Sequence, residues 1–227
     1  MNHIAGRAEF VRTFGVSRET ADRLERYAQL LLQWQPTINL VAPSTLSDVW
    51  HRHFADSAQL LPLAPPGPLH WLDLGSGGGF PGLVAGCMLA ERGGCRLTLV
   101  ESDVRKSAFL REVVRQIGLA AFLAVDIVTD RIENTANTTR VGAVDVISAR
   151  ALAPLDRLFS LIFPYFGADT VALLPKGGDA ESEKKVAEAS WAFDSTLVFS
   201  QTSDAGRVVC VRNLRQRYGE DASQRRK

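Results

Sequence analysis

The sequence predicts an α/β protein in which a mainly parallel sheet ends in an antiparallel hairpin and a small helical extension precedes the sheet. Three observations carry this prediction. Between residues 69 and 174, short apolar runs alternate with helical stretches, as in a parallel sheet covered by helices on both faces. Residues 196–202 and 207–212 flank the turn Ser203-Asp204-Ala205-Gly206 and read as a hairpin. The first 62 residues instead carry helical periodicity.

In that first segment, Ala21, Leu24, Tyr27, Ala28, Leu31 and Trp34 recur on one face of a helix expected over residues 18–34. Ser17 is placed to cap it, and Glu19 falls in the first turn, where the helix dipole favours an acid. A second helix is expected over residues 46–61, with Leu46, Val49, Trp50, Phe54, Leu60 and Leu61 at helical spacing. Thr45-x-x-Asp48 resembles a capping box there, with Asp replacing the usual Glu or Gln. The breaker Leu63-Ala64-Pro65-Pro66-Gly67-Pro68 then divides the chain. The expected organisation is a helical extension (1–66), a catalytic α/β domain (67–215) and a basic, flexible tail (216–227).

Strands are expected at 69–74, 96–101, 121–125, 144–148 and 169–174, and helices at 81–92, 104–117 and 154–166. The most informative run is Trp71-Leu72-Asp73-Leu74-Gly75-Ser76-Gly77-Gly78-Gly79-Phe80-Pro81-Gly82. It reads as a buried strand, a sharp glycine turn and a helix beginning near Pro81, whose fixed φ suits a first helical position. Such a unit presents main-chain N–H groups and a helix N-terminus to a ligand, which marks a nucleotide-type cofactor site.

The bulk properties bound the rest. A chain of 227 residues that is 46% hydrophobic can bury a full core. No run approaches the 18 apolar residues of a membrane span, and residues 1–15 carry charges without an apolar leader. Cys87, Cys95 and Cys210 are odd in number and lack C-x-x-C spacing, which suggests neither a disulfide framework nor a metal site. A cytoplasmic protein, not bound to a membrane and monomeric, is the expectation. The net charge of +1 leaves open a local basic face for nucleic acid.

Gly77-x-Gly79-x-x-Gly82 formally matches a dinucleotide fingerprint, with Glu101 nineteen residues beyond Gly82. Two features oppose a nicotinamide or flavin. The turn begins at Gly75, before the formal pattern, and Asp73 stands where that fingerprint has an apolar residue. No Gly-Lys-Ser/Thr follows, which removes an ATP P-loop. Asp-x-Gly-x-Gly-x-Gly after a strand, with an acid ending the next strand, resembles the cofactor site of class I S-adenosylmethionine-dependent methyltransferases of Rossmann-like fold. Gly75 and Gly77 would let the methionine portion lie against the main chain, and the Glu101 carboxylate would accept hydrogen bonds from both ribose hydroxyls.

Beyond the loop, the chain resembles the bacterial RsmG (GidB) family. The matching pieces are Asn39-Leu40-Val41-Ala42, His53-Phe54-Ala55-Asp56-Ser57, Asp73 through Gly82, Arg105-Lys106-Ser107-Ala108-Phe109-Leu110, Arg131-Ile132-Glu133, Ser148 through Leu155, Lys176-Gly177 and Arg212-Asn213-Leu214-Arg215. The resemblance implies methyl transfer from S-adenosylmethionine to guanine N7 in 16S rRNA, at position 527 of the reference numbering. The partner so implied is the small ribosomal subunit or an assembly intermediate of it. The resemblance also places the cofactor against Gly75 and Phe80, with Ile132 and Glu133 beside the adenine and Arg150 completing the site.

Guanine N7 carries an in-plane lone pair and can attack a sulfonium methyl without first losing a proton, so no catalytic acid, base or nucleophile is named. Ser148-Ala149-Arg150 replaces the Asn/Asp-Pro-Pro-aromatic motif of amine methylation, and no cysteine stands there for a covalent mechanism. Arg150 and Lys176 are candidate phosphate or base contacts. His53 is a third candidate, or a buried hydrogen-bonded histidine oriented by Asp56 and Ser57. A small-molecule methyltransferase is the alternative enzyme.

Overall fold

A computed structural model describes residues 3–134 and 141–217. Helices α1 (Arg7–Phe14) and α2 (Arg18–Trp34) come first. A 3-10 turn (Pro43–Asp48), a π-helical turn (Trp50–Ala55) and the short α3 (Asp56–Ala58) follow. Then come β1 (His70–Leu74), α4 (Gly82–Leu89), β2 (Arg96–Glu101), α5 (Val104–Gln116), β3 (Ala124–Thr129) and β4 (Val146–Ser148). The chain continues through α6 (Leu155–Ile162), β5 (Val171–Lys176), α7 (Ala180–Ala187), β6 (Trp191–Phe199) and β7 (Arg207–Gln216).

The seven strands form one sheet in the order β3-β2-β1-β4-β5-β7-β6. The five strands from β3 to β5 are mutually parallel, and β7 runs antiparallel to both β5 and β6. The order reverses between β1 and β4, so a crevice opens beyond their carboxyl ends, where ligands bind on open α/β sheets. All of β1 is buried, as expected of a central strand covered on both faces.

Each face has its own core. One gathers α2, α4 and α5 against the sheet around Leu24, Tyr27, Phe54, Trp71 and Phe109, so the N-terminal helices share a core with the sheet. The other gathers α6, α7 and the hairpin around Leu72, Leu74, Phe159 and Trp191. Every residue of α4 is buried, because the sheet covers one side and α2 and α3 cover the other. In α2, the Ser17 hydroxyl accepts a hydrogen bond from the Thr20 amide at 3.1 Å, the capping contact its position foretold.

Several boundaries differ from the sequence reading. The regular helix expected over 46–61 is a succession of 3-10, π and short α turns, and its capping box does not form. Thr45 Oγ1 instead donates to the Ala42 carbonyl at 2.7 Å and meets His53 Nε2 at 2.7 Å. The third strand lies three residues later than expected, because Gly118 adopts a left-handed conformation and residues 119–121 turn once more before pairing begins. Pro81 caps α4 from outside, so the helix begins at Gly82. The fifth strand runs on to Lys176, and α1 and α7 were not foreseen individually. The expected flexible tail lies almost wholly outside the described residues.

Candidate functional site: a two-lobed crevice at the glycine loop

The loop after β1 turns through three glycines at positive φ: Gly75 (70°), Gly77 (55°) and Gly79 (92°). The amides of Gly75 and Ser76 donate to the Val100 carbonyl at 2.9 and 3.1 Å, which fastens the loop to the neighbouring strand. Glu101 completes the fastening: Oε2 accepts from the Gly77 amide and Oε1 from the Asp103 amide, both at 2.8 Å. A carboxylate has about four acceptor positions, so Glu101 keeps capacity for two further donors.

The abundance of glycine suggests a mobile turn, but the packing assigns it another cause. A side chain at Gly78 would stand 3.1 Å from the Leu40 carbonyl oxygen, and one at Gly79 would collide with the Tyr27 hydroxyl. Tyr27, fully buried on α2, donates its hydroxyl to the Gly78 carbonyl and stacks on Phe80 at 5.3 Å between centroids. At Gly82, a Cβ would collide with Asp73. The loop is therefore clamped between the sheet and the N-terminal helices.

Asp73 lies beneath it, wholly buried. Its Oδ1 accepts from Ser148 Oγ at 2.6 Å, and Ser148 in turn accepts from Trp71 Nε1 at 2.8 Å. Its Oδ2 makes no hydrogen bond of good geometry, although the Gly82 amide lies near enough to favour the anion. Burial outweighs these contacts and raises the carboxyl pKa to about 6.

Two cavities flank the loop and share Gly75, Gly77 and Lys106 in their walls. The inner lobe, about 450 Å³, is lined by Glu101, Ile132, Glu133 and Leu152 as well as the two glycines. Its contents suit a nucleoside: an apolar side chain from Ile132, a carboxylate at the end of β2, and glycines that let a ligand touch the backbone. Leu152 closes in on Gly75, whose hypothetical Cβ would sit 2.9 Å from Leu152 Cδ1.

The outer lobe, about 650 Å³, is walled by residues 39–43, Thr45, Arg52, His53, Asp56, Phe80, Arg150 and Thr202. Arg150 follows β4 and precedes Ala151, which is held at φ 52°, an uncommon backbone for a residue with a Cβ. Its guanidinium donates to Asp56 Oδ2 at 3.1 Å, to the Arg52 carbonyl at 3.2 Å and to His53 Nδ1 at 2.8 Å, and it lies 5.3 Å from the Phe80 ring centroid. Asp56 also accepts from Thr202 and Gln59, at 2.8 and 2.9 Å, which ties the hairpin turn to the helical wall.

With Nδ1 accepting from Arg150, the His53 proton resides on Nε2 and points to Thr45 Oγ1. Burial, then the charges of Arg150 and Arg52, lower the His53 pKa to about 3, so the ring is neutral.

The structure thus brings Gly75, Gly77, Phe80, Glu101, Ile132, Glu133, Arg150 and His53 to one crevice. It does not bring Lys176 there. Lys176 pairs with Glu183 at 2.8 Å, donates to the Ala153 carbonyl at 2.6 Å and lines neither lobe. The partner on α7 that holds it belongs to a helix the sequence reading did not foresee. That reading also missed Tyr27, Thr45, Leu152 and Thr202 as parts of the site. Only Tyr27 left a signal, as a polar-tipped residue on an apolar stripe. Among the described residues, no three His, Cys, Asp or Glu side chains cluster to hold a metal.

A parallel sheet closed by an antiparallel hairpin, with a glycine crevice at its switch point, defines the class I methyltransferase fold. Solved structures agree on that fold. The chain superposes on a methyltransferase from Geobacter sulfurreducens with a TM-score of 0.53 and 13% identity, covering 87% of this chain and 91% of that one. It also superposes on a mutant of MtNAS in complex with S-adenosylmethionine with a TM-score of 0.55 and 16% identity, covering 90% and 82%.

Sequence comparison is more specific. The model of the GidB family, described as rRNA small subunit methyltransferase G, matches residues 20–209. The ribosomal RNA small subunit methyltransferase G of Parvibaculum lavamentivorans is 48% identical over 212 residues, 93% of this chain and 90% of that protein. Its namesake in Paramagnetospirillum magneticum is 46% identical over 209 residues, 92% and 96% respectively. The chain belongs to the rRNA small subunit methyltransferase G family.

Proposed function

We propose that this protein transfers a methyl group from S-adenosylmethionine to N7 of a guanosine in 16S rRNA, at position 527 of the reference numbering. The family supports rRNA of the small subunit as the acceptor and S-adenosylmethionine as the donor. The position on the base rests on the outer lobe. Its titratable side chains are Arg52, His53, Asp56, Lys106 and Arg150. His53 has its one acceptor nitrogen occupied, and Asp56 already receives three donors. Among the described residues of the lobe, the two side chains that could take a proton are thus engaged, His53 at its one acceptor nitrogen and Asp56 at three of about four acceptor positions. That suits a ring nitrogen with its own lone pair, and it suits an exocyclic amine or a ribose hydroxyl poorly.

Bound S-adenosylmethionine would supply an electrophilic sulfonium methyl. The chain's own residues supply position. Gly75 and Gly77 would admit the ligand to the main chain, and the remaining acceptor sites of Glu101 would take the ribose hydroxyls. Ile132 and Glu133, which line the same lobe, would hold the adenine. The Arg150–Asp56–His53 network fixes the wall against which the purine rests. Holding two reactants in a near-attack geometry can supply much of the required acceleration when the nucleophile needs no activation.

The reading is tested on small subunits from cells lacking this methyltransferase. Incubation with purified protein and labelled donor should place label on a single guanine, and that site should become cleavable by reduction and aniline. A protein that binds donor yet leaves every guanine N7 of those subunits unlabelled contradicts it.

A further inference from the structure

We propose that Arg52 and Lys106 grip phosphates of the acceptor strand at the mouth of the outer lobe, from two different elements of its wall. The inference rests on the reading of the protein as an rRNA methyltransferase and names the cations that would serve that substrate. Of the cations lining the lobe, Arg150 is already committed to Asp56 and His53. Lys176, the other basic residue singled out in the sequence, is committed to Glu183 outside the lobe.

Arg52 and Lys106 remain, and their circumstances are alike. Arg52 stands on the π-helical turn, exposed, and its guanidinium makes no hydrogen bond or ion pair among the described residues. Its charge acts on His53 as an unwelcome neighbour, helping to depress that pKa, so it does not serve the histidine. Lys106 lies in the first turn of α5, where a cation opposes the helix dipole. The amides of that turn are already capped by Asp103 at 2.8 and 3.3 Å, and the Lys106 ammonium, although near the Asp103 charge, makes no hydrogen bond or ion pair among the described residues. Two cations with no hydrogen bond or ion pair among the described residues therefore face one nucleotide-sized cavity from separate elements.

A strand carrying one negative charge per phosphate is the partner whose chemistry fits. A guanosine seated in the lobe would leave its flanking phosphates at the rim. Arginine there offers a planar fork to phosphate oxygens, and lysine a point charge. Lys106 also lines the inner lobe, so the test must separate RNA from cofactor.

Arg52→Ala, Lys106→Ala and a control, Arg12→Ala on α1, are to be compared in three measurements. These are binding of an unmodified 16S rRNA transcript across a salt series, methylation kinetics on unmodified small subunits, and titration with S-adenosylhomocysteine. Each site variant is expected to raise KM for subunits at least about fivefold while kcat stays within about twofold, and to flatten the slope of log affinity against log salt by about 0.7. S-adenosylhomocysteine affinity should be unchanged, Arg52→Lys should retain the slope, and Arg12→Ala should match the parent. An unaltered salt slope in either site variant overturns the proposal. So does weakened S-adenosylhomocysteine binding in Lys106→Ala, which would assign that ammonium to the cofactor. Failure of the parent protein to methylate any subunit would count against the functional reading instead, while the binding slopes would still decide the role of the two cations.

Discussion

At Asp73 and His53, burial shifts two protonation equilibria in opposite directions, with opposite consequences for stability. The Asp73 carboxyl rises from an ordinary 3.8 to about 6, so between those values the folded state holds a proton that the unfolded state has lost. Stability from this group is complete below the lower value and falls as pH rises, by up to about 1.4 kcal/mol per pH unit within the window. His53 falls from 6.5 to about 3, so between those values the unfolded state holds the extra proton and stability rises with pH at a similar slope. From about pH 4 to 6 the two slopes oppose each other. Asp73→Asn keeps an acceptor for Ser148 but removes one titration. Its stability from urea unfolding should climb relative to the parent across that interval, and a constant difference would show that Asp73 does not titrate there. The glycine beyond it carries a sharper prediction. Gly75→Asp puts a side chain against Leu152 on a backbone at φ 70°, and a negative charge into the crevice. S-adenosylhomocysteine binding should disappear while the circular-dichroism spectrum persists, and equal affinity would refute the placement of the cofactor. Arg150→Ala should lower turnover by at least about tenfold through loss of the wall it builds with Asp56 and His53. Unchanged kcat on unmodified subunits would remove Arg150 from the site.

Among the elements, α2 bears on function through one hydroxyl. Tyr27 reaches from the helical extension to the Gly78 carbonyl, so the extension forms part of the floor of the glycine loop. Tyr27→Phe leaves a buried carbonyl without its donor, at a cost of about 1–3 kcal/mol. The expected result is a lower melting temperature together with weaker S-adenosylhomocysteine binding. Leu24→Ala, on the same helix but touching no part of the loop's hydrogen bonding, serves as the comparison. It should lower stability by roughly 2–5 kcal/mol with ligand affinity preserved at temperatures where the protein is folded. If both variants weaken binding equally per unit of stability lost, the tyrosine acts only through packing. The contrast also marks what sequence could reveal. Ser17, the apolar stripe of α2 and the glycines after β1 are local signals, each interpretable within one turn or one strand. The bond between Tyr27 and Gly78 spans 51 residues and has no local signature. The wall carrying His53 has helical apolar spacing and so reads as a plain helix, yet it passes through three different pitches. The pairing that holds Lys176 away from the lobes was not legible for a related reason: its partner, Glu183, sits on a helix whose short, charged sequence gives little periodicity.

For the molecule as a whole, the parallel order, the hairpin and the position of the crevice were legible, because alternation of strands and helices leaves few topologies and these place ligands at the strand-order reversal. The division of that crevice into two lobes was not legible, since it depends on residues from distant parts of the chain, with Leu152 lining one lobe and Leu40 and Thr202 the other. On the proposed reading, one lobe holds the donor beside the Glu101 carboxylate, and the other holds the acceptor among side chains already engaged in hydrogen bonds. If N7 is the acceptor as proposed, no group must lose a proton before attack, and single-turnover rates on unmodified subunits should vary by less than about twofold between roughly pH 6.5 and 8.5. A log-linear rise with pH would expose a base that the site does not display. The most direct measurement is the position of the new methyl group itself. Small subunits methylated by the purified protein with labelled donor are digested to nucleosides and analysed by mass spectrometry against positional standards. The account predicts label solely in N7-methylguanosine. Label on an exocyclic amine, a ring carbon or a ribose oxygen would contradict it.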